Sequence, residues 1–144
     1  MANFINTADV IGDDELCDQF ILRTVTEYKE NRITNIGPFA FFNCNALATV
    51  DVPNVKKIET QAFAGAKLLA LILRNTTQVC SLSSTDALRV TSIQNGTGYI
   101  YVPTSLYNAY ASASNWSAYS AQLRKLEDYT VDGTTTGELD KTKI

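Results

Sequence analysis

Acidic side chains near the start of the sequence are the first candidates for chemistry. Asp9, Asp13, Asp14, Glu15 and Asp18 lie close together, which invites a metal-binding or acid/base interpretation. A calcium-binding loop needs oxygen ligands at alternate positions and a glycine at its sharp turn, and this segment has a different order. Carboxylates are favoured in the first turn of a helix. The acids therefore predict the start of a helix rather than a metal site.

Cysteine thiols are the second candidates, either as nucleophiles or as metal ligands. Cys17, Cys44 and Cys80 are widely spaced and contain no Cys-x-x-Cys pair, so their spacing indicates neither a zinc knuckle nor a disulfide framework. A thiol nucleophile also needs a nearby base, and the chain contains no histidine. We therefore expect three small buried thiols, and neither an enzyme nor a metal or other cofactor.

Composition and charge exclude further classes of protein. The 144 residues are 45% apolar and 19% charged, which is typical of one soluble domain. A formal net charge of −3 argues against binding to nucleic acid or to anionic membranes. The apolar run from Ala62 to Leu73 is interrupted by Lys67 and is too short to span a bilayer. We expect no nucleic-acid partner and no membrane insertion.

An internal repeat with a step of about 22 residues is the strongest signal in the sequence. When residues 33–54 are set above residues 55–75, apolar and turn residues fall in register. Phe41 then lies over Phe63, and after a deletion of one residue Val50 lies over Leu71. These two copies are clear, and a third is degenerate.

The third copy is split by an insertion. Val79–Leu82 restarts the unit, a polar segment over 83–98 interrupts it, and Tyr99–Pro103 restores the ending of the first copy. We expect the insertion to be a loop over one face. The repeat region therefore extends over residues 33–103.

Each copy is interpreted as a short coil of chain. Val50-Asp51-Val52 alternates inward and outward with period two, as strands do. Ile36 adds a second inward contact, and Phe41 places a ring in the middle of the coil. One coil cannot bury its apolar face alone, so neighbouring coils must stack.

The segment before the repeats is expected to be an N-terminal cap over residues 1–32. Leu16 and Phe20 are four residues apart and predict a short amphipathic helix within residues 13–20. Residues 22–28 carry threonine and valine and predict a strand.

The segment after the repeats is expected to be a helical cap over residues 104–126, with an extended tail over 127–144. Aromatic residues recur every third position, so we predict two short helices, the second capped by Ser114 or Asn115. Arg124 and Lys125 would occupy its last turn. The tail is polar and rich in glycine and threonine, and is either mobile or docked on a neighbour.

The alternation within the strands also predicts a binding surface. Residues between the inward positions point to one outward sheet face that mixes an acid, an isoleucine and two tyrosines. Such a patch is typical of a contact with a partner. The alternative is that a cap helix or the chain's own tail covers it. The predicted partner-binding residues are Thr49, Asp51, Ile72, Tyr99 and Tyr101.

One ordered set of residues carries a family resemblance. It consists of Ile33, Ile36, Gly37, Ala40, Phe41, Cys44, Leu47, Val50 and Pro53. This order resembles the unit of the BspA-like leucine-rich repeats, although Glu59 and Arg74 replace the glycine and the proline in the second copy. The resemblance implies an α/β repeat, namely a short leucine-rich-repeat solenoid between the two caps, in which Cys44 is a small core residue.

The resemblance implies binding rather than catalysis. Repeats of this family occur in adhesins and surface proteins, and short versions occur among phage virion proteins. An adhesin needs an export signal, and Met1–Thr7 has neither the basic nor the apolar region of one. We therefore expect a non-catalytic virion surface component that is made in the host cytoplasm: a capsid decoration, head fibre or tail-associated protein that also aids host attachment. The alternative is a bacterial surface adhesin or host-interaction module.

Partners follow from these two settings. In a virion the partners are other protein subunits, either further copies of this chain or other virion proteins. In attachment the partner is a protein or glycan of the host cell surface.

Overall fold

The computed structural model describes residues 26–144 and the backbone of Val10 and Ile11. Within this part of the chain the fold is mixed α/β, with short parallel strands in two sheets and a few short helices. Neither of these sheets closes into a barrel. The helix predicted within residues 13–20 lies outside the described residues.

The first sheet holds one inward position of each repeat. Its described strands are parallel and lie side by side in the order in which they occur along the chain. Ile36 pairs with Ile58, and Ile58 pairs with Leu82. All three side chains are buried, which confirms the inward positions predicted for Ile36 and Ile58. The strands are β1 (Val10–Ile11), β3 (Asn35–Ile36), β5 (Lys57–Ile58) and β7 (Ser81–Leu82).

The second sheet has five described strands, one more than the first, and they are also parallel and follow the order of the chain. Val50 pairs with Leu71, and Leu71 with Ile100, and the three side chains are fully buried. The inward face predicted from period two is therefore confirmed. The strands are β2 (Glu27–Lys29), β4 (Thr49–Asp51), β6 (Ala70–Ile72), β8 (Tyr99–Val102) and β9 (Leu123–Lys125).

The repeats are joined on a third side, at the turns that carry the phenylalanines. The Phe41 amide donates to the Ala62 carbonyl (2.7 Å), and the Phe63 amide donates to the Ala87 carbonyl (2.9 Å). The rings of Phe41 and Phe63 stack with their centroids 5.1 Å apart and an angle of 2° between their planes. Both rings are buried, as predicted. Each repeat therefore contacts the next through two sheets and one ring stack.

These turns share an unusual backbone conformation. Phe39 and Gln61 have φ of 60° and 52°, and Asn43 and Gly65 have φ of 60° and 83°. Residues other than glycine rarely adopt positive φ. Positive φ recurs one repeat apart at Phe39 and Gln61, and neither residue type favours it, so the stacking of the turns sets the conformation at this position.

The insertion over 83–98 is folded rather than a plain loop. It contains the 3-10 helix Thr85–Leu88 and helix α1 (Ser92–Asn95). Leu88 and Ile93 are buried and complete the core beside the second repeat. The polar residues that predicted a loop instead serve as helix caps, because Ser84 and Thr91 accept hydrogen bonds from backbone amides at the two helix starts.

The C-terminal cap contains the predicted break between helices. The 3-10 helix Thr104–Leu106 runs into α2 (Tyr107–Ser112), and the 3-10 helix Trp116–Gln122 follows. Asn115 does not cap the latter through its side chain, because its amide donates to the Leu82 carbonyl (2.6 Å) instead.

The expectation for Arg124 and Lys125 was wrong. Both residues lie in β9, not in the last turn of a helix. The physical reason is that β8 needs a partner at its open edge, and Leu123 supplies a buried residue opposite Ile100.

Side chains of the cap close the end of the first sheet. The Cys80 amide donates to the Tyr110 hydroxyl (2.8 Å), and Trp116 Nε1 donates to the Cys80 carbonyl (2.6 Å). The Tyr119 hydroxyl donates to the Thr85 carbonyl (2.6 Å). Buried backbone groups need such partners. These aromatic side chains therefore supply the hydrogen bonds that the backbone of a further repeat would otherwise make.

The stacked rings give a stability prediction. Phe41→Ala or Phe63→Ala should lower the free energy of unfolding by about 3 to 5 kcal/mol, because each leaves a cavity in the core. The matched control is Phe42→Ala, whose ring is only half-buried and should cost clearly less. Urea unfolding followed by circular dichroism measures all three, and equal losses in the three variants would contradict the ring-stack account.

Candidate binding surface

The sheet register brings the five predicted site residues onto one surface. Thr49 pairs with Ala70 and Ala70 with Tyr99, which makes one row across β4, β6 and β8. A second row, two residues further along each strand, crosses the same three strands. We call the two rows together the outer face. Its residues are Thr49, Ala70 and Tyr99 in the first row and Asp51, Ile72 and Tyr101 in the second.

The outer face is covered, which corrects the expectation of an exposed patch. Asp51, Ile72 and Tyr101 are 2%, 0% and 2% exposed, and Thr49 and Tyr99 are half-buried. Of the two alternatives stated from the sequence, the structure shows the chain's own tail on this face. The physical reason is that Ile72 and Tyr101 present apolar area that one folded chain can bury with its own C-terminal residues.

We call the covering segment, residues 127–144, the strap. It begins in the 3-10 helix Leu126–Tyr129 and turns back so that Thr130 and Leu139 form an antiparallel bridge. Leu139 packs in the same cluster as Ile72 and Tyr101. The extended, mobile or neighbour-docked tail expected from composition is thus folded back on its own sheet.

An ion pair beneath the strap links two repeats. Arg74 Nε and Nη2 donate to the two carboxylate oxygens of Asp51 at 2.8 and 2.9 Å. The Arg74 and Asp51 side chains are only 10% and 3% exposed. Two parallel hydrogen bonds between arginine and a carboxylate fix the orientation of both groups. The Arg74 guanidinium is therefore fixed in one orientation above β4 and β6.

The third guanidinium nitrogen of Arg74, Nη1, binds the strap. Nη1 donates to the carbonyls of Thr135 and Gly137, both at 2.8 Å. The strap thus contributes carbonyl acceptors, and the sheet contributes an oriented cation. Gly137 lies against the Asp132 carboxylate, so a Cβ there would require that exposed side chain to move. The sequence marked Arg74 only as a departure from the repeat, because it stands where the first copy has Pro53. Its place two residues beyond Ile72, which pairs with the outward Asp51, was the signal.

Aromatic contacts surround the apolar part of the outer face. The Tyr129 ring meets the Tyr101 ring edge to face, with centroids 5.0 Å apart. The Arg124 guanidinium lies 4.3 Å from the centre of the Tyr99 ring, a favourable cation–π distance. Burial raises the pKa of Tyr101 to about 12.

A polar cleft lies beside the strap, at the carboxyl ends of β2, β4 and β6. It has a volume of about 1070 Å³ and is open to solvent. Repeat turns form one wall and the strap forms the other. The Asn54 amide donates across the turns to the Asn31 carbonyl (2.7 Å). Amide, hydroxyl and ammonium groups line the cleft, which suits hydrogen bonding to a polar partner; they include Lys29, Asn54, Lys56, Asn75 and Thr77.

The cysteines differ from the expectation of three free thiols. Cys80 is a buried free thiol, and burial raises its pKa to about 12. Cys44 is buried as expected but is disulfide-bonded. Cys17 lies outside the described residues. A thiolate is the reactive form of cysteine, so Cys80 is held in its unreactive form.

Within residues 26–144, features typical of two other classes of protein are absent. No group of three histidine, cysteine, aspartate or glutamate side chains there is placed to bind a metal ion. No helix there has the length and apolar composition needed to cross a bilayer.

Comparisons with known proteins find no match: no family model, no curated protein and no solved structure shows significant similarity to this chain.

The cysteine assignment predicts a labelling pattern. In the native protein at neutral pH, iodoacetamide should leave both Cys44 and Cys80 unmodified. After denaturation without reductant it should modify Cys80 alone of the two, and after reduction it should modify both. Peptide mass spectrometry reads each step. Modification of Cys44 before reduction would contradict the disulfide.

The ion pair predicts a second stability effect. Arg74→Met should lower the free energy of unfolding by about 3 to 5 kcal/mol, because it leaves the Asp51 carboxylate buried and uncompensated. Adding Asp51→Asn should restore part of that loss. The matched control is Lys57→Met, which removes the solvent-accessible ion pair with Glu59 and should change stability little. If the loss of stability in the double variant equalled or exceeded the sum of the losses in the two single variants, the pair would not be coupled as described.

Proposed function

We propose that the chain is a non-catalytic structural protein of a phage virion surface, built as a short BspA-like leucine-rich-repeat solenoid. Its task is to bind other protein subunits, as a capsid decoration, a head fibre or a tail-associated protein, and to aid attachment to the host. The chemistry involved is recognition by shape, hydrogen bonds and charge.

The observation that carries this proposal is the agreement between the sequence repeat and the contacts between repeats. Equivalent residues of successive copies touch each other on three sides, at Ile36 and Ile58, at Phe41 and Phe63, and at Val50 and Leu71. Stacked units that bury a face only against their neighbours are typical of solenoids. Solenoids with outward side chains free to vary are commonly used as binding scaffolds.

The outer face supports the binding part of the proposal. It holds a polypeptide segment by two distinct kinds of contact: an apolar site around Ile72 and Tyr101, and the paired Arg74 that bonds two carbonyls. A surface that fixes a peptide in one register has the properties of a protein-binding site. We therefore keep Thr49, Asp51, Ile72, Tyr99 and Tyr101 as the proposed subunit-binding residues, which another subunit reaches when the strap leaves the outer face.

The proposed location outside the cytoplasm is supported by the cysteine chemistry. Disulfides persist on virions and at cell surfaces and are rare in reducing cytoplasm, and Cys44 is disulfide-bonded.

The second candidate is a bacterial surface adhesin or host-interaction module. The polar cleft favours it, because the amides of Asn54 and Asn75 and the ammonium of Lys56 suit hydrogen bonds to a host protein or glycan.

Labelling of particles tests the proposal. Antibodies raised against the purified chain would be applied to gradient-purified virions of the phage whose genome carries the gene, and to uninfected bacteria. Immunogold electron microscopy locates the label, and mass spectrometry of the same particles measures copy number. Variants with surface changes remote from the outer face, such as Lys67→Ala, serve as controls for antibody specificity.

The two candidates give opposite results. We expect label at regular positions on the virion and none on uninfected cells. Label on the surface of uninfected cells, with none on purified virions, would overturn the virion proposal in favour of the adhesin.

A further inference from the structure

We propose that residues 135–144 of one copy bind the outer face of a second copy, so that two copies are joined by exchanging their C-terminal segments. This inference rests on the proposed function and deepens it by naming the subunit partner: a second copy of this chain.

The strap is held by contacts that any identical segment could make. Arg74 bonds the Thr135 and Gly137 carbonyls, and Leu139 fills the site beside Ile72 and Tyr101. A segment of the same sequence from a second copy offers the same carbonyls and the same leucine. Exchange therefore conserves these contacts, which is what makes segment swapping a low-cost route to dimers.

The strap crosses four of the five strands of the second sheet. Tyr129 contacts Tyr101 on β8, and Gly137 reaches Arg74 above β6 and β4. Lys141 Nζ lies 3.9 Å from the Glu27 carboxylate on β2. Tyr129 stays with its own chain, so the exchanged residues 135–144 reach from Arg74, just after β6, to Glu27 on β2. This contact is broad enough to join two bodies when the segment comes from another chain.

The connection between the two ends of the strap lies in solvent and is free to rearrange. Residues 131–134 are exposed, and the space around Gly133 is open. The loop is closed mainly by its own bonds, as Thr134 donates from its amide and hydroxyl to the Asp132 carboxylate. Such a loop can open into an extended connection without disturbing the core.

The same loop carries an exposed apolar side chain. Val131 is 67% exposed, the highest value among the large hydrophobic residues that the structure describes. A second chain passing alongside the opened loop would cover it. Exchange thus adds a contact that the closed chain does not use.

Within one chain the strap competes for its own face at high effective concentration, which favours the closed form in dilute solution. Exchange is expected when the chain is concentrated, as in an assembling particle. Opening the loop should therefore shift the balance from one chain to two.

Cysteine trapping tests the exchange. Copies with Ile72→Cys and copies with Leu139→Cys, carrying different tags, are mixed at high concentration and oxidised. A disulfide between the two tags forms when the segment of one copy lies on the face of the other. The matched control replaces Leu139→Cys by Val131→Cys, whose side chain lies away from the face. A single chain with both Ile72→Cys and Leu139→Cys shows whether the two thiols can meet.

A second measurement covers the case in which the thiols do not meet. Deletion of residues 131–134 in the full chain leaves the segment too short to turn back, so the exchanged form becomes the only way to cover the outer face. Light scattering should then give twice the mass of one variant chain, which is four residues shorter than the 15.8 kDa chain. The undeleted chain at the same concentration is the control.

The outcomes are distinct. A bond between differently tagged copies, or a dimeric deletion variant, supports exchange. A bond only within the doubly substituted chain, or a folded monomeric deletion variant, overturns it. Failure of exchange leaves the virion proposal standing if the labelled particles carry the chain as a monomer, so the two failures are told apart.

Discussion

The burial of apolar side chains between successive repeats is the constraint on which the rest of this structure depends. A coil of chain as short as one repeat has no interior of its own, so Phe41 becomes enclosed only when Phe63 of the next repeat stacks on it. The parallel strands follow from that stacking, because equivalent residues are brought side by side. The positive φ values shared by Phe39 and Gln61 follow from it as well.

A stack held together in this way must be closed wherever it stops. Tyr110 and Trp116 bond the backbone of Cys80, and β9 adds a strand beside β8. The outer face needs cover too, because Ile72 and Tyr101 are apolar, and the strap provides it. The strap also supplies carbonyls to Arg74. The surface proposed to bind another subunit is thus one that already binds a peptide.

Local patterns in the sequence were enough to predict the inward positions. Val50 and Leu71 could be identified because strand alternation and repeat step depend only on neighbouring residues. The prediction for Arg124 was wrong because the position of this residue depends on the open edge of β8, which no local pattern shows. The Asp51 and Arg74 pair requires the register between two strands, and the strap requires a turn at Gly133 followed by a return across the sheet.

The central claim is that the C-terminal segment occupies the outer face, and nuclear magnetic resonance tests it most directly. The account predicts nuclear Overhauser effects between the Leu139 methyl groups and the side chains of Ile72 and Tyr101, with Leu139 shifts displaced by the nearby rings. Random-coil shifts for Leu139, with no such effects in a chain whose core signals are intact, would contradict it.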